Sequence, residues 1–192
     1  MERRSQESRR AATRKMLVSA ARRLFAEKGY AATGTPEIVA AAGVTRGALY
    51  HHFADKADLF RTVVEEEHVL LSMTVNAAAE TGDEPGPVRT LVEGADAFLS
   101  AMQEPGRRRI LLVDAPAVLG RAELDAIDAR YGLRKLVQDV EAAMKAKAIR
   151  DLPAMRLAHL LRALFDRAAL ADAGELPDYR KAIRALIRGL KV

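Results

Sequence analysis

TPEIVAAAGVTRGALYHHFADK, from Thr35 to Lys56, reads as two short helices around a tight turn. Thr35 offers a hydroxyl to an orphan amide at the first helix start, and Pro36 follows where its missing N–H costs nothing. Ile38, Val39 and Ala42 mark one apolar face. Gly43 stands where that helix should stop, because glycine takes a left-handed backbone at little cost. Val44 plugs the turn, and Thr45 repeats the cap. A second helix then runs through Arg46, Gly47, Ala48, Leu49, Tyr50, His51 and His52 to Phe53. Leu49 and Phe53, four apart, hold it to its neighbours and leave Arg46, Ala48, Tyr50, His51 and His52 to face outward or flank the contact. Small, hydroxylated and basic residues near the start of a second helix match the recognition helix of a helix-turn-helix, which enters the DNA major groove N-terminus first. The plainer alternative is a helical hairpin with a solvated second helix.

The flanks extend this unit. Leu17, Ala20, Ala21, Leu24 and Phe25 fall at i, i+3, i+4, i+7 and i+8, so 13–28 is an amphipathic helix that supplies a floor for the pair. Gly29 closes it. Asp55 is a plausible cap for a helix that opens at Lys56, carries Leu59, Phe60, Val63 and Val64, and continues to about Glu80. At 1.5 Å per residue it spans roughly 36 Å, enough to join a head to a separate body.

LFAEKGYAAT followed by IVAAAGVTRGALYHHFADKADLF resembles the N-terminal domain of the TetR/AcrR (tetracycline-repressor-like) transcriptional regulators, from about Thr13 to Phe60. One departure is Val39, where the family usually has alanine; two extra methyls there should spread the helix crossing slightly. The resemblance implies that Tyr50, His52 and Lys56 contact phosphates and that His51 reaches bases or backbone. It also implies a homodimer and a small-molecule pocket in the body, whose occupancy changes the spacing of the two heads. From the residues themselves, Arg46 is the candidate reader of guanine O6 and N7, and Gly47 and Ala48 let the backbone approach.

Charge supports a polyanion partner. The 192 residues carry a net charge of +5, with 49% hydrophobic and 30% charged residues. Residues 1–61 hold 12 Lys and Arg against 6 Asp and Glu, while 62–192 hold 19 against 20. The positive excess therefore sits in the third that contains the two-helix unit. Residues 1–12, with Arg3, Arg4, Arg9 and Arg10, have no apolar period and are expected to be a flexible basic arm that touches phosphates or the minor groove of bound DNA. No apolar run approaches the roughly 20 residues of a membrane span, so no membrane partner is expected. The N-terminus lacks a signal-peptide apolar region, and there is no cysteine. A cytoplasmic location is the economical reading.

The remainder, 61–192, reads as an effector-binding and dimerisation domain built only of helices. Thr81–Pro87 is a loop by composition, followed by helices at 88–103, 107–114 (stopped before Pro116), 123–147 (with a possible kink at Gly132), 153–173 and from Pro177 onward. The fold class is all-α: a three-helix helix-turn-helix domain (13–60) joined by a long helix to a helical ligand-binding and dimerisation domain. The last two helices carry wide apolar stripes, including Leu160, Leu164, Ala168, Ile183, Leu186, Ile187 and Leu190, which suit a two-fold four-helix dimer interface. Such a dimer fits a palindromic double-stranded DNA operator, whose half-sites lie about 34 Å or somewhat more apart. Candidate ligand-binding residues are Phe98, Met102, Asp114, Tyr131, His159 and Arg162. Asp114 alternatively caps the next turn, and the rest are alternatively core or surface ion pairs.

An enzyme is not expected. His51 and His52, adjacent on a helix, point about 100° apart and cannot share a metal. There is no HExxH, EF-hand loop or GxSxG, and GYAATGTP (Gly29–Pro36) lacks the lysine of a phosphate-binding loop. No cofactor is implied. The function these features point to is a ligand-responsive transcriptional regulator, most simply a repressor released by a small molecule. The rival is a helical adaptor whose basic head binds protein or an anionic membrane.

Overall fold

The computed structural model describes residues 2–79 and 86–192. Its elements are α1 (Glu2–Lys28), α2 (Thr35–Ala42), α3 (Arg46–His52), α4 (Lys56–Ala79), α5 (Pro87–Ala101), a π-helical turn (Arg109–Asp114), α6 (Ala115–Leu119), α7 (Arg121–Arg130), α8 (Gly132–Lys145), α9 (Ala154–Ala169) and α10 (Leu176–Arg188). No strand occurs among the described residues, as the all-α reading requires. Two compact units emerge. One holds the chain up to Glu67 together with Pro105–Arg121; the other holds His68–Glu104 and Ala122–Val192. The sequence had assigned 105–121 to the body, but this segment packs with the head.

In the first unit, the predicted stripe of α1 is the core: Leu17, Ala21 and Phe25 are fully buried, with Ala20 and Leu24 close to it. Against it lie Ile38 of α2, Leu49 of α3 and Leu59, Phe60, Val63 and Val64 of α4, all fully buried. Phe25 meets Phe60 edge to face at 5.1 Å between centroids, a favoured aromatic geometry. Gly43 ends α2 with φ of 66°, and the following amides return to Ala40 and Val39 carbonyls, as a left-handed helix stop requires.

Three local expectations need correction here. Residues 2–12 were expected to be a flexible arm, yet α1 runs from Glu2. Ala, Arg, Gln and Glu are all good helix formers, and once the amphipathic part has nucleated, each added residue costs little. Thr35 does not cap α2. Gly34 occupies the cap position without a side-chain bond, which moves Thr35 inside the helix. Pro116 does not stop a helix either. It lies near the start of α6, which follows directly on the π-helical turn. The wider turn, in which the Ala115 amide reaches back to the Ile110 carbonyl, accommodates the local loss of a donor at proline.

In the second unit, α5 packs on α8, α9 and α10, and α9 packs on α8 and α10. Asp96 of α5 takes Arg180 at 3.1 Å and Arg184 at 2.8 Å from α10. The helix expected from 123 to 147 is two helices, broken at Tyr131 (φ −117°, ψ −96°). Gly132 opens the second of them, as the expected kink there anticipates, and a Cβ at this position would lie 3.0 Å from Arg162 Nη1. The expected dimer set also divides. Ala168, Ile183 and Ile187 are buried in the unit's own core, Leu190 is half-buried, and Leu160, Leu164 and Leu186 are exposed at 66%, 39% and 55%. A wide stripe on a helix serves two sectors, and the inner one is spent within the unit. Of the loop predicted at Thr81–Pro87, residues 81–85 lie outside the described residues, as does Glu80.

Candidate nucleic-acid interface and effector cavity

Backbone chemistry sets the pose of α3. Thr45 is its cap, and its Oγ1 accepts from the Ala48 amide at 3.2 Å. Arg46, Gly47, Tyr50 and His51 are exposed; Ala48 and His52 are half-buried. A contiguous polar and basic face therefore surrounds the start of the helix, while Leu49 and the C-cap Phe53, both buried as expected, anchor it within the core. Tyr50 joins the two short helices. A hydrogen bond with the Thr35 side chain, and next one with Arg46, lowers the Tyr50 phenol from its ordinary range. The Arg46 guanidinium rests over the Tyr50 ring, 5.5 Å from its centroid.

The basic start of α1 runs beside this face. Gln6, Glu7, Arg9, Arg10 and Thr13 form a groove with Ala48, His51 and His52. Partial burial, and then the charges of His51, Arg10 and Arg14, depress the His52 pKa. These cations thus lie near enough to α3 to be felt there, which the sequence asymmetry alone did not establish.

Lys56 is also tied into the head itself. Its Nζ donates to the Tyr30 and Thr33 carbonyls, each at 3.0 Å, and sits 4.0 Å from the Tyr30 ring centroid. It ties the loop between α1 and α2 to the start of α4. Burial, helped by Asp55, raises the Tyr30 phenol pKa. The expected Asp55 cap is present: Asp55 Oδ1 accepts from the Asp58 amide at 2.8 Å, and Asp58 Oδ2 accepts from the Ala54 amide at 3.0 Å.

Sequence reasoning missed a set of contacts that brace this head. Glu67 is 1% exposed; its Oε1 accepts from Arg22 Nε at 2.7 Å and its Oε2 from Arg107 Nε at 2.6 Å. Asp114 Oδ2 accepts from the Tyr30 amide at 2.9 Å, and Arg109 donates to the Glu27 carbonyl at 2.7 Å. Gly106, with φ of 80°, lies so close to α1 that a Cβ would fall 2.1 Å from Ala26 Cβ. Pairings 40 to 84 residues apart in sequence leave no local pattern, and only the isolated acid in ILLVDAPAVLG hinted at one.

The second unit holds a partly open cavity of about 80 Å³. Of the candidate ligand residues, Phe98, Tyr131 and Arg162 line it. Met102, fully buried, and His159 do not, and Asp114 belongs to the first unit. Leu71, Leu91, Leu136 and Phe165 add apolar wall, while His68, Lys135 and Asp139 add polar groups. His68 was overlooked. Its signal was a lone histidine four residues after Val64 and three before Leu71, on the apolar face of a helix.

A helix-turn-helix with an exposed polar recognition face, carried with a helical unit that holds a cavity, defines a DNA-binding regulator with a sensor body. Comparison with known proteins agrees. Residues 17–63 match the family model of bacterial regulatory proteins of the tetR family, and residues 88–191 match that of the tetracyclin repressor-like C-terminal domain. The chain belongs to the TetR family of ligand-responsive, DNA-binding transcriptional regulators. It is 32% identical to the HTH-type transcriptional regulator AcrR of Shigella flexneri, over 78% of this chain and 73% of that one. The Tn10 transposon TetC protein of Escherichia coli is 26% identical over 92% and 89% of the two chains. A TetR-family transcriptional regulator from Pectobacterium atrosepticum superimposes with a TM-score of 0.80 at 31% identity, covering 96% and 97%. The family is one of regulators rather than enzymes. Among the described residues no helix is long and apolar enough to cross a membrane.

Proposed function

We propose that this chain is a cytoplasmic repressor that binds a palindromic operator as a homodimer and is released by a small molecule held in the cavity of its body. The observation that carries the reading is the exposed face of α3, with Arg46, Gly47, Tyr50 and His51 presented around a capped helix start. In this reading Arg46 leaves the Tyr50 ring and spans guanine O6 and N7, while Gly47 and Ala48 admit the backbone to the groove. Thr35, Thr45, Tyr50, His51 and His52 hold phosphates or neighbouring bases, and Pro36 packs against the sugar-phosphate backbone. Lys56 has given two donors to loop carbonyls, which leaves its third N–H for a phosphate. The exposed leucines Leu160, Leu164 and Leu186 support pairing with a second copy. An effector that binds better to dimers with the wrong head spacing lowers operator affinity by the same coupling factor that the operator exerts on it. The adaptor reading is not favoured by the family match.

The test is selection from random duplexes with the full chain. An inverted-repeat consensus is expected, with binding that weakens steeply with salt. Arg46→Ala should cost about 1–3 kcal/mol and relax preference at one base position per half-site. A uniform loss across sequences would show that Arg46 only holds phosphate, and failure to enrich any inverted repeat would refute the operator reading.

A further inference from the structure

The last turn of α1, and the loop that leads from it to α2, are held by side chains 82 and 84 positions away in sequence. A helix ends with carbonyls that have no partner within it, and an arginine suits them in both hydrogen bonding and charge. Arg109 meets that need: its Nη1 donates to the Glu27 carbonyl at 2.7 Å. A carboxylate at the same end has the wrong charge for the helix dipole, yet Asp114 Oδ2 stands there and accepts from the Tyr30 amide at 2.9 Å. The two side chains converge on Gly29, where φ is 84° and a Cβ would lie 3.4 Å from Asp114 Oδ2 and 3.6 Å from Arg109 Nε. Asp114 does not take the turn-capping role that the sequence left open to it. It occupies the cap position of α6, but its side chain makes no capping bond there.

What this grip fixes is the entry to the reading unit. The loop is tied from its other side as well, since Lys56 Nζ donates to the Tyr30 and Thr33 carbonyls. The buried Thr33 hydroxyl donates to the Gly29 carbonyl at 2.8 Å. Tyr30 is therefore held at its amide and at its carbonyl, with its ring centroid 5.7 Å from that of Phe25 and 4.9 Å from that of Phe60. α2 follows at once, and its cap residue, Gly34, has no side chain to set its direction. Helices of eight and seven residues, as α2 and α3 are, do not persist alone and take their pose from what holds them. Thr35, the first residue of α2, in turn bonds the Tyr50 phenol of α3.

We propose that Asp114 and Arg109 are positioning residues for operator recognition: they grip the end of α1 and so fix the loop from which α2 and α3 take their pose. The inference rests on reading α3 as the operator-reading helix.

The experiment compares Asp114→Leu with Asp114→Asn in the full-length protein. Anisotropy titration uses the inverted-repeat duplex that the parent selects and a scrambled duplex of the same length. Both variants remove the same negative charge, which by electrostatics alone would tighten DNA binding, but only asparagine keeps an acceptor for the Tyr30 amide. Asp114→Leu should bind the selected operator about tenfold more weakly than the parent, the worth of one net hydrogen bond, through a smaller population of correctly posed heads. Asp114→Asn should stay within about threefold of the parent. Neither should lose affinity for the scrambled duplex, which depends on charge rather than pose. Urea unfolding gives the folded fraction of each variant, so a loss of stability is counted separately. If Asp114→Leu does not fold, Arg109→Met against Arg109→Lys decides, since lysine keeps the charge and a donor for the Glu27 carbonyl. The preference of Arg109→Met for operator over scrambled duplex should then be about threefold or more below that of Arg109→Lys. The inference is overturned if folded Asp114→Leu binds the operator as the parent does, if it loses equally on both duplexes, or if asparagine fares as badly as leucine. In the second pair it is overturned if methionine keeps the preference that lysine shows. A parent that enriches no inverted repeat overturns the operator reading and this inference together; a parent that does, with any of those outcomes, sinks only the positioning role.

Discussion

Glu67→Met tests the bracing of the head most directly. Methionine keeps the length and volume of the side chain and removes its charge. The two guanidinium partners then differ in what they lose. Arg22 has 31% of its side chain exposed, so water replaces much of the missing carboxylate, and its share is that of a surface pair, up to about 1 kcal/mol. Arg107 is 6% exposed and loses the Glu67 carboxylate at a site that water hardly reaches. Breaking a buried pair by removing one partner costs about 3–5 kcal/mol. Most of the expected loss, about 3–4 kcal/mol, therefore comes from Arg107. For a domain of this size that corresponds to a melting decrease of roughly 10 °C. Glu67→Met/Arg107→Met removes the buried guanidinium as well, and should recover to within about 1 kcal/mol of the parent apart from the Arg22 share. Urea unfolding at one fixed protein concentration measures both, since self-association would make stability concentration-dependent. A single-variant loss below about 1 kcal/mol, or a double variant whose loss is the sum of the two singles, would refute the reasoning.

Gly106→Ala and Gly43→Ala form a matched pair, because both positions have positive φ but only Gly106 faces a neighbour, at 2.1 Å from Ala26 Cβ. Gly43→Ala should cost about 1 kcal/mol in thermal melts and Gly106→Ala distinctly more, and equal losses would deny the close approach. Thr45→Ala removes the cap of α3 and should cost about 1 kcal/mol of stability, with a fall in affinity for a selected operator that a cap-preserving Thr45→Ser avoids. His68 gives a pH signature. Its folded pKa, about 3, lies below its ordinary 6.5, so below pH 6.5 the unfolded chain takes a proton that the folded chain refuses. Stability should therefore decline as pH falls, by up to about 1.4 kcal/mol per unit from this group. The raised pKa of Asp128 acts in the opposite sense, so the check is a difference: from pH 6.5 to 5 the parent should lose more stability than His68→Gln, and parallel curves would show that His68 is not held neutral.

The parts of this fold that are legible in sequence are those whose causes are local. The Thr45 cap, the left-handed Gly43, the Asp55 cap and the stripe Leu17–Phe25 each depend on residues within two helical turns, and each is found in the structure. Where the outcome depends on what arrives from elsewhere in the chain, local patterns misled. The two carbonyls that hold the Lys56 ammonium lie 23 and 26 positions earlier and leave no local pattern. The possible kink at Gly132 is a full break, since α7 stops at Arg130 and α8 starts at Gly132. The stripes of α9 and α10 read as one interface because periodicity records which residues avoid water, not which neighbour covers them.

His68 shows how one such gap is narrowed. A search for reactive histidines stops at His51 and His52, which adjoin and lie on the surface side of a short helix. His68 stands alone among Val64, Val69, Leu70 and Leu71, where a catalytic or metal-binding search finds nothing. Yet a polar ring at a core position of a helix is costly without a partner, so its presence there already demands one from another element. The structure sets Asp128 3.8 Å from its Nδ1, stacks Tyr131 on its ring and brings the Arg162 charge near, all within one 35-residue span of the body. In the head the polar residues that matter are exposed, because a polyanion must reach them. In the body the informative polar residue is buried in the wall of a cavity, whose few polar groups are what a bound molecule would meet.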